Sequence, residues 1–322
     1  MRHRYLRSSL VGVFLGFAIS LLVINVSKTP IEDVLAIPPL ILFFSLMLNL
    51  VRFTAQGFRL HLLLRKYSTI GIRYRDSFAL RGASEFFALT TLPFLADEAA
   101  RAWLLVERGE RVGQAFWISF AEMLLDTWVG SIIAVAAAFN AMLANVYYLA
   151  VPVLLVSLIQ LLATCIFVTL VKGGVWLGGV IGWVAERLPL PSEVRRSLKN
   201  GSEDMDRIVG SLVSTHRISA HTFLLLSTLV VMTAPAAILQ LLDGCGFLSC
   251  LYAFHSGNAL GVLPITVGGS GLTEAGVYLY LSKVSGIDSM VAVIQWRIAS
   301  YYLSLIISGI LLVTVALRRR AV

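Results

Sequence analysis

Long apolar runs broken by short polar clusters organise this chain. Uncharged windows long enough to cross a bilayer fall at about residues 8–26, 34–51, 146–171, 218–242 and 298–317, since a spanning helix takes roughly 20 apolar residues. A sixth window, about 113–139, crosses only by carrying Glu122 and Asp126. The pattern predicts an all-α polytopic membrane protein with about six transmembrane helices.

Two further apolar stretches, 77–106 and 244–286, are interrupted. In the first, Leu92-Pro93 leads to Asp97-Glu98-Ala99. In the second, Leu263-Pro264 leads through Gly268-Gly269-Ser270-Gly271 to Glu274-Ala275. Such proline and glycine runs cannot continue an ordinary helix. Broken backbone at membrane depth is tolerated only where protein buries it or it lines a wet cavity. The stretches are therefore expected to be re-entrant broken-helix hairpins of opposite orientation. They form a possible inverted repeat meeting near the midplane, where transporters place substrate. Residues 173–185 are glycine-rich and too short to span; they read as an interfacial segment.

Composition strengthens the membrane assignment. The chain is 58% hydrophobic and 14% charged, with mean hydropathy +0.84, whereas a soluble domain is about a quarter charged. One integral membrane domain over 1–322 is expected, in halves of about 1–145 and 146–322, with a polar cytoplasmic loop at about 186–217 and no room for a sizeable soluble catalytic domain. The net charge of +8 is uneven. Residues 52–81 hold Arg52, Arg59, Arg65, Lys66, Arg73, Arg75 and Arg81 against Asp76 alone, and Arg318-Arg319-Arg320 lie near the C-terminus. Placing these segments inside gives a multi-pass protein of the cell membrane with cytoplasmic termini. The cationic stretch 52–75 reads as a helix end lying on anionic lipid. Nucleic-acid binding is not expected, because aromatic residues do not interleave with the basic runs. Cys245 and Cys250 either approach each other in a non-cytoplasmic loop or serve as packing residues.

Candidate chemistry concentrates at the breaks. Ser270 precedes a helix start and Glu274 falls in its first turn, so free N–H groups and the positive dipole end face the glycine run, a setting that attracts phosphate. The bland alternative is that Ser270 and Glu274 cap their own helix. Glu98 and Arg101, three apart, share a helical face and are expected to pair, either within the membrane or at its surface. Arg81 and Glu85, four apart, form a second candidate pair. Glu122 and Asp126 need a cation, and Arg297 in the last apolar segment is the expected partner, giving an intramembrane charge network. His255 reads as a packed or water-facing polar residue. No nucleophile elbow, phosphate-loop lysine motif or zinc-like spacing occurs, so no cofactor or metal is expected.

At these motifs the chain resembles the transmembrane region of lysylphosphatidylglycerol synthases and their stand-alone, flippase-like relatives. The likeness is strongest in LPITVGGSGLTEAG (263–276) and AVIQWRIASYYLSLIISGI (292–310), and weaker in TLPFLADEAARAWLL (91–105) and AEMLLDTWVG (121–130). It implies that Glu98, Arg101, Glu122, Asp126, Glu274 and Arg297 occupy the family's polar motif positions. Phe94, Leu95, Ala96 and Met123 depart from the family's pattern of glycines and arginines. Without the synthases' aminoacyl-transfer domain, lipid aminoacylation is not expected.

The sequence thus predicts a flippase that moves an anionic lipid or a polyprenyl-phosphate-linked glycan between leaflets. Its substrate site would use Pro93, Glu98, Arg101, Pro264, Gly268, Gly269, Ser270, Gly271 and Glu274. Two other classes remain: a membrane enzyme acting on lipid phosphate, and a partner subunit of a glycosyltransferase or lipid synthase.

Overall fold

The computed structural model describes residues 13–14, 17–18, 21–22, 24–26, 28–91, 96–172, 201, 204, 206–210, 218–263, 265–287 and 290–318. Pro93 and Pro264, the segment 173–185 and most of the loop 186–217 lie outside them.

The described residues are all helical or connecting, with no strand. In chain order the helices are α1 (Ile31–Leu35), α2 (Pro39–Tyr67), α3 (Tyr74–Thr90), α4 (Ala96–Val106), α5 (Val112–Leu143) and α6 (Tyr147–Lys172). After them come α7 (Ile218–Asp243), α8 (Phe247–Gly261), α9 (Leu272–Lys283), α10 (Met290–Arg297) and α11 (Leu303–Arg318). A π-helical turn, Ile298–Tyr302, joins α10 to α11, and a 3₁₀ turn, Val267–Gly269, lies between α8 and α9.

Five helices among the described residues are long and apolar enough to cross a membrane: Pro39–Tyr67, Val112–Leu143, Tyr147–Thr169, His221–Asp243 and Met290–Leu317. The remaining expected crossing, 8–26, is only partly described. The first crossing corrects the sequence reading of 52–75. α2 runs straight through the cationic stretch to Tyr67, and Phe53, Arg59, Leu60, Leu63 and Leu64 are buried against protein, not spread on lipid. A buried guanidinium is retained there because acids on α5 meet it.

Both interrupted stretches form helix–break–helix hairpins, α3–α4 and α8–α9. The α8–α9 hairpin closes tightly because Gly257 faces Gly276. A Cβ on Gly276 would lie 2.6 Å from the Gly257 Cα, and a Cβ on Gly257 only 2.4 Å from the Thr273 carbonyl oxygen. Two buried apolar clusters flank the hairpins. One gathers residues of α2, α3, α4 and the first half of α5; the other gathers the second half of α5 with α6 to α10. Long α5 belongs to both, so its midpoint, near Glu122 to Gly130, sits where the two clusters meet.

Candidate functional site

The first half of the site is a set of interlocked ion pairs. Polar side chains of α2 recur four and three residues apart: Ser45, Asn49, Arg52, Gln56 and Arg59. That spacing keeps them on one helical face, which turns inward. Arg59, fully buried, forks between two acids of α5. Its Nε lies 2.9 Å from Glu122 Oε1 and its Nη2 2.7 Å from Asp126 Oδ2. Arg81 of α3 meets Glu85 at 2.8 Å, Asp97 at 3.1 Å and Glu122 at 3.4 Å. Arg101 of α4 pairs with Asp97 and reaches Glu122 at 2.5 Å. Arg52 pairs with Glu85 at 3.1 Å and donates to the Ser304 hydroxyl of α11 at 2.8 Å. Charges taken this far from water survive only when paired and hydrogen-bonded, and stripping one partner costs about 3–5 kcal/mol.

The second half centres on Arg297. Its Nε lies 3.1 Å from Glu274 Oε1, and its Nη2 donates to the Gly268 carbonyl at 2.8 Å and the Ser270 hydroxyl at 3.1 Å. The guanidinium also stacks 4.0 Å from the Tyr301 ring centroid. The Glu274 carboxylate accepts the Gly271 N–H at 2.8 Å. The start of α9 is thus capped by its own acid, which Arg297 neutralises. Ser270 does not cap it and spends its hydroxyl on Arg297.

Two pairings differ from the sequence expectation. Arg297 is not the counter-ion of Glu122 and Asp126; Arg59 is, because the inward face of α2 brings it alongside α5 while Arg297 is held at the second break by Glu274. Nor does Arg101 pair chiefly with Glu98. One helical turn places Arg101 over Asp97, and Glu98 faces a cavity instead. The expected Arg81–Glu85 pair is present.

The two breaks touch. The Gly268 N–H donates to the Thr91 carbonyl at 3.1 Å, and the Tyr301 hydroxyl donates to the Leu89 carbonyl. Gly268 adopts φ +57, and a Cβ there would lie 2.9 Å from the Leu89 oxygen, so this junction requires glycine. Beside it opens a cavity of about 370 Å³. Side chains from both charge clusters border it, including Arg52, Glu85, Asp97, Glu98, Asp126 and Arg297, together with the uncharged Thr127, Gln160, His255, Asn258 and Ser300. Of the expected site residues, Glu98, Asp126, Gly268 and Arg297 line it. Arg101, Glu122 and Glu274 brace its walls. Arg52, Arg59, Arg81, Asp97, His255 and Tyr301 are the residues sequence reasoning missed or gave lesser roles. A second, apolar cavity of about 250 Å³ lies beyond the Glu274–Arg297 pair, among Phe17, Leu21, Val34, Ile294 and Tyr302.

Residues 13–308 match the family model described as lysylphosphatidylglycerol synthase TM region. The chain belongs to that family. The match is to the transmembrane region of these synthases, separate from their catalytic synthase domain, so the chain is a membrane module of this kind and not the aminoacylating part. No curated protein matches it. As a lysylphosphatidylglycerol synthase TM-region protein, the chain has its tip junction, both charge clusters and the cavity inside the matched residues. Among the described residues no group of histidine, cysteine and acidic side chains is arranged to hold a metal.

Proposed function

We propose that this protein moves a lipid between membrane leaflets, binding its polar head in the cavity at the hairpin tips while its tails remain in the bilayer. The observation that carries the reading is a cavity of about 370 Å³, bordered by charged and polar side chains among apolar ones, at the junction of two broken-helix hairpins, in a chain with five candidate membrane spans among the described residues. That volume falls in the usual range of about 300–1,000 Å³ for small-molecule sites. Membership of a synthase transmembrane-region family supports a lipid as the cargo.

In this reading both hairpins are re-entrant. Their arms run 17, 11, 15 and 12 residues, which is about 16–26 Å at 1.5 Å per residue, short of the ~30 Å hydrocarbon layer. The pairing pattern supports an inverted repeat. In each half the second hairpin arm is ion-paired to the helical run that follows: Arg101 of α4 to Glu122 of α5, and Glu274 of α9 to Arg297 at the end of α10, which continues through the π-turn into α11. The α3–α4 hairpin would enter from the cytoplasm and α8–α9 from the opposite face. The Cys245–Cys250 disulfide, which ties the α7–α8 turn to the first turn of α8, supports that orientation, because disulfides persist on the oxidising side of a membrane. Rocking of the halves about the tip contact would expose the cavity to each face in turn.

The test is leaflet exchange in proteoliposomes, read as dithionite quenching of fluorescent-tailed lipids with different heads. Faster loss of inner-leaflet fluorescence than in protein-free vesicles is expected for at least one head class. Rates equal to empty vesicles for all classes would refute the transport reading.

A further inference from the structure

We propose that the head this cavity takes is uncharged and rich in hydroxyl groups, a glycosyl or polyol head, and not a phosphate-type anion. The inference rests on the lipid-binding reading above and names its substrate class.

Charge at the tips is already balanced. Five guanidinium groups surround the tips: Arg52, Arg59, Arg81, Arg101 and Arg297. Each already lies within 4.0 Å of an acid. Glu85, Asp97, Glu122, Asp126 and Glu274 supply those partners, and Glu98 is a sixth acid with no ion pair among the described residues. Five cations against six acids leave no surplus positive charge. An entering phosphate would have to evict a carboxylate from a buried pair, and a displaced buried charge is costly.

Hydrogen-bond polarity points the same way. His255 is buried, with Nε2 3.2 Å from the Met232 carbonyl. A carbonyl only accepts, so Nε2 carries the hydrogen and Nδ1 is left as an acceptor. Among the described residues Nδ1 has no partner, and neither does the buried Gln56 Oε1. With Glu98, the residues that carry these acceptors bring α8, α2 and α4 into the cavity wall. A phosphate dianion has no hydrogen to give them. Donors border the same space, in the amide of Asn258 and the hydroxyl of Thr127, and an ammonium group cannot accept from these. Hydroxyl groups do both. Trp296, its indole N–H held by the Pro235 carbonyl at 2.8 Å, adds a fixed apolar wall beside these polar groups, the mixture typical of ligand sites.

The test is native mass spectrometry of the purified full chain in detergent. It is offered equimolar dioleoyl lipids that differ only in the head: monoglucosyl-diacylglycerol, phosphatidic acid, phosphatidylethanolamine and bare diacylglycerol. The glucosyl adduct should exceed each of the others by about tenfold. Asn258→Leu and Thr127→Val, which remove one donor each with little change of shape, should each cut that excess several-fold and leave the phosphatidic acid signal unchanged. Equal or greater binding of phosphatidic acid or phosphatidylethanolamine overturns the proposal. So does the absence of any adduct above diacylglycerol, or a glucosyl preference that survives both substitutions. A clear glucosyl preference without leaflet exchange would instead refute transport and leave this inference standing.

Discussion

At the residue scale, the decisive feature is that every deep arginine has found an acid on a different helix. Arg59 is the hub: fully buried, it spans Glu122 and Asp126 and donates to the Thr228 hydroxyl at 3.0 Å. Arg59→Met should lower stability by about 3–5 kcal/mol, because the buried Glu122 and the half-buried Asp126 carboxylates lose their fork. Combined with Asp126→Asn the loss should be smaller than the sum of the single losses, by about 0.5–3 kcal/mol, measured as unfolding in detergent. A second cycle separates the two charge clusters. Arg297→Ala and Glu274→Gln should couple, whereas Arg297→Ala and Glu122→Gln should add. Additive losses for Arg297 and Glu274, or coupling of Arg297 to Glu122, would contradict the geometry. The sequence made Glu122, Asp126 and Arg297 visible, because charge inside apolar runs stands out. It hid Arg59, which sits in a basic stretch that also suits a cytoplasmic lipid surface. The signal was available in the four-and-three spacing of Asn49, Arg52, Gln56 and Arg59, which marks a buried polar face and not a solvated helix end.

At the element scale, the hairpins depend on close backbone approach. Gly268→Val should be severely destabilising or should separate the tips, since a Cβ there meets the Leu89 carbonyl at 2.9 Å and the Tyr301 hydroxyl at 2.7 Å. A cross-link between the α3 end and the 3₁₀ turn that forms in the parent and fails in the variant would check this. Outside the membrane, Glu110 ties the α2–α3 loop to the start of α5. Burial raises its carboxyl, but hydrogen bonds from the Ser68 and Thr69 hydroxyls and from the Arg111 and Thr69 N–H groups outweigh that and hold it below its ordinary value. A depressed folded-state pKa contributes stability above the unfolded value of about 4.3 that is lost as pH falls through the folded one. Glu110→Gln should therefore lower thermal stability at neutral and alkaline pH and flatten its acid limb below about pH 5, so that variant and parent converge in acid. Hairpin breaks were legible from Leu92-Pro93 and from the glycine run at 268–271. Their mutual contact was not, because Gly268 and Thr91 are brought together by packing between sequence-distant helices.

For the whole molecule, orientation and access are the properties at stake. The buried disulfide between Cys245 and Cys250 predicts that these two thiols alkylate, after denaturation, only if intact cells have first met a reductant that reaches the outer face. Alkylation without that reductant, or only with one that reaches the cytoplasm, would remove or invert the proposed topology. All-α architecture and the family were readable from apolar windows and the 263–276 and 292–310 motifs, since both are local properties of the chain. The cavity's charge balance was not, because it depends on which arginine meets which acid across six helices.

Alternating access of the tip cavity can be measured directly with a single cysteine at Thr127 or Asn258, in a Cys165→Ser background, reconstituted in vesicles. The account predicts modification by an impermeant maleimide added to either face, with labelling from each blocked by a bulky Trp296-side substitution such as Ser300→Trp. Labelling from one face alone, or from neither while the protein remains folded, would contradict it.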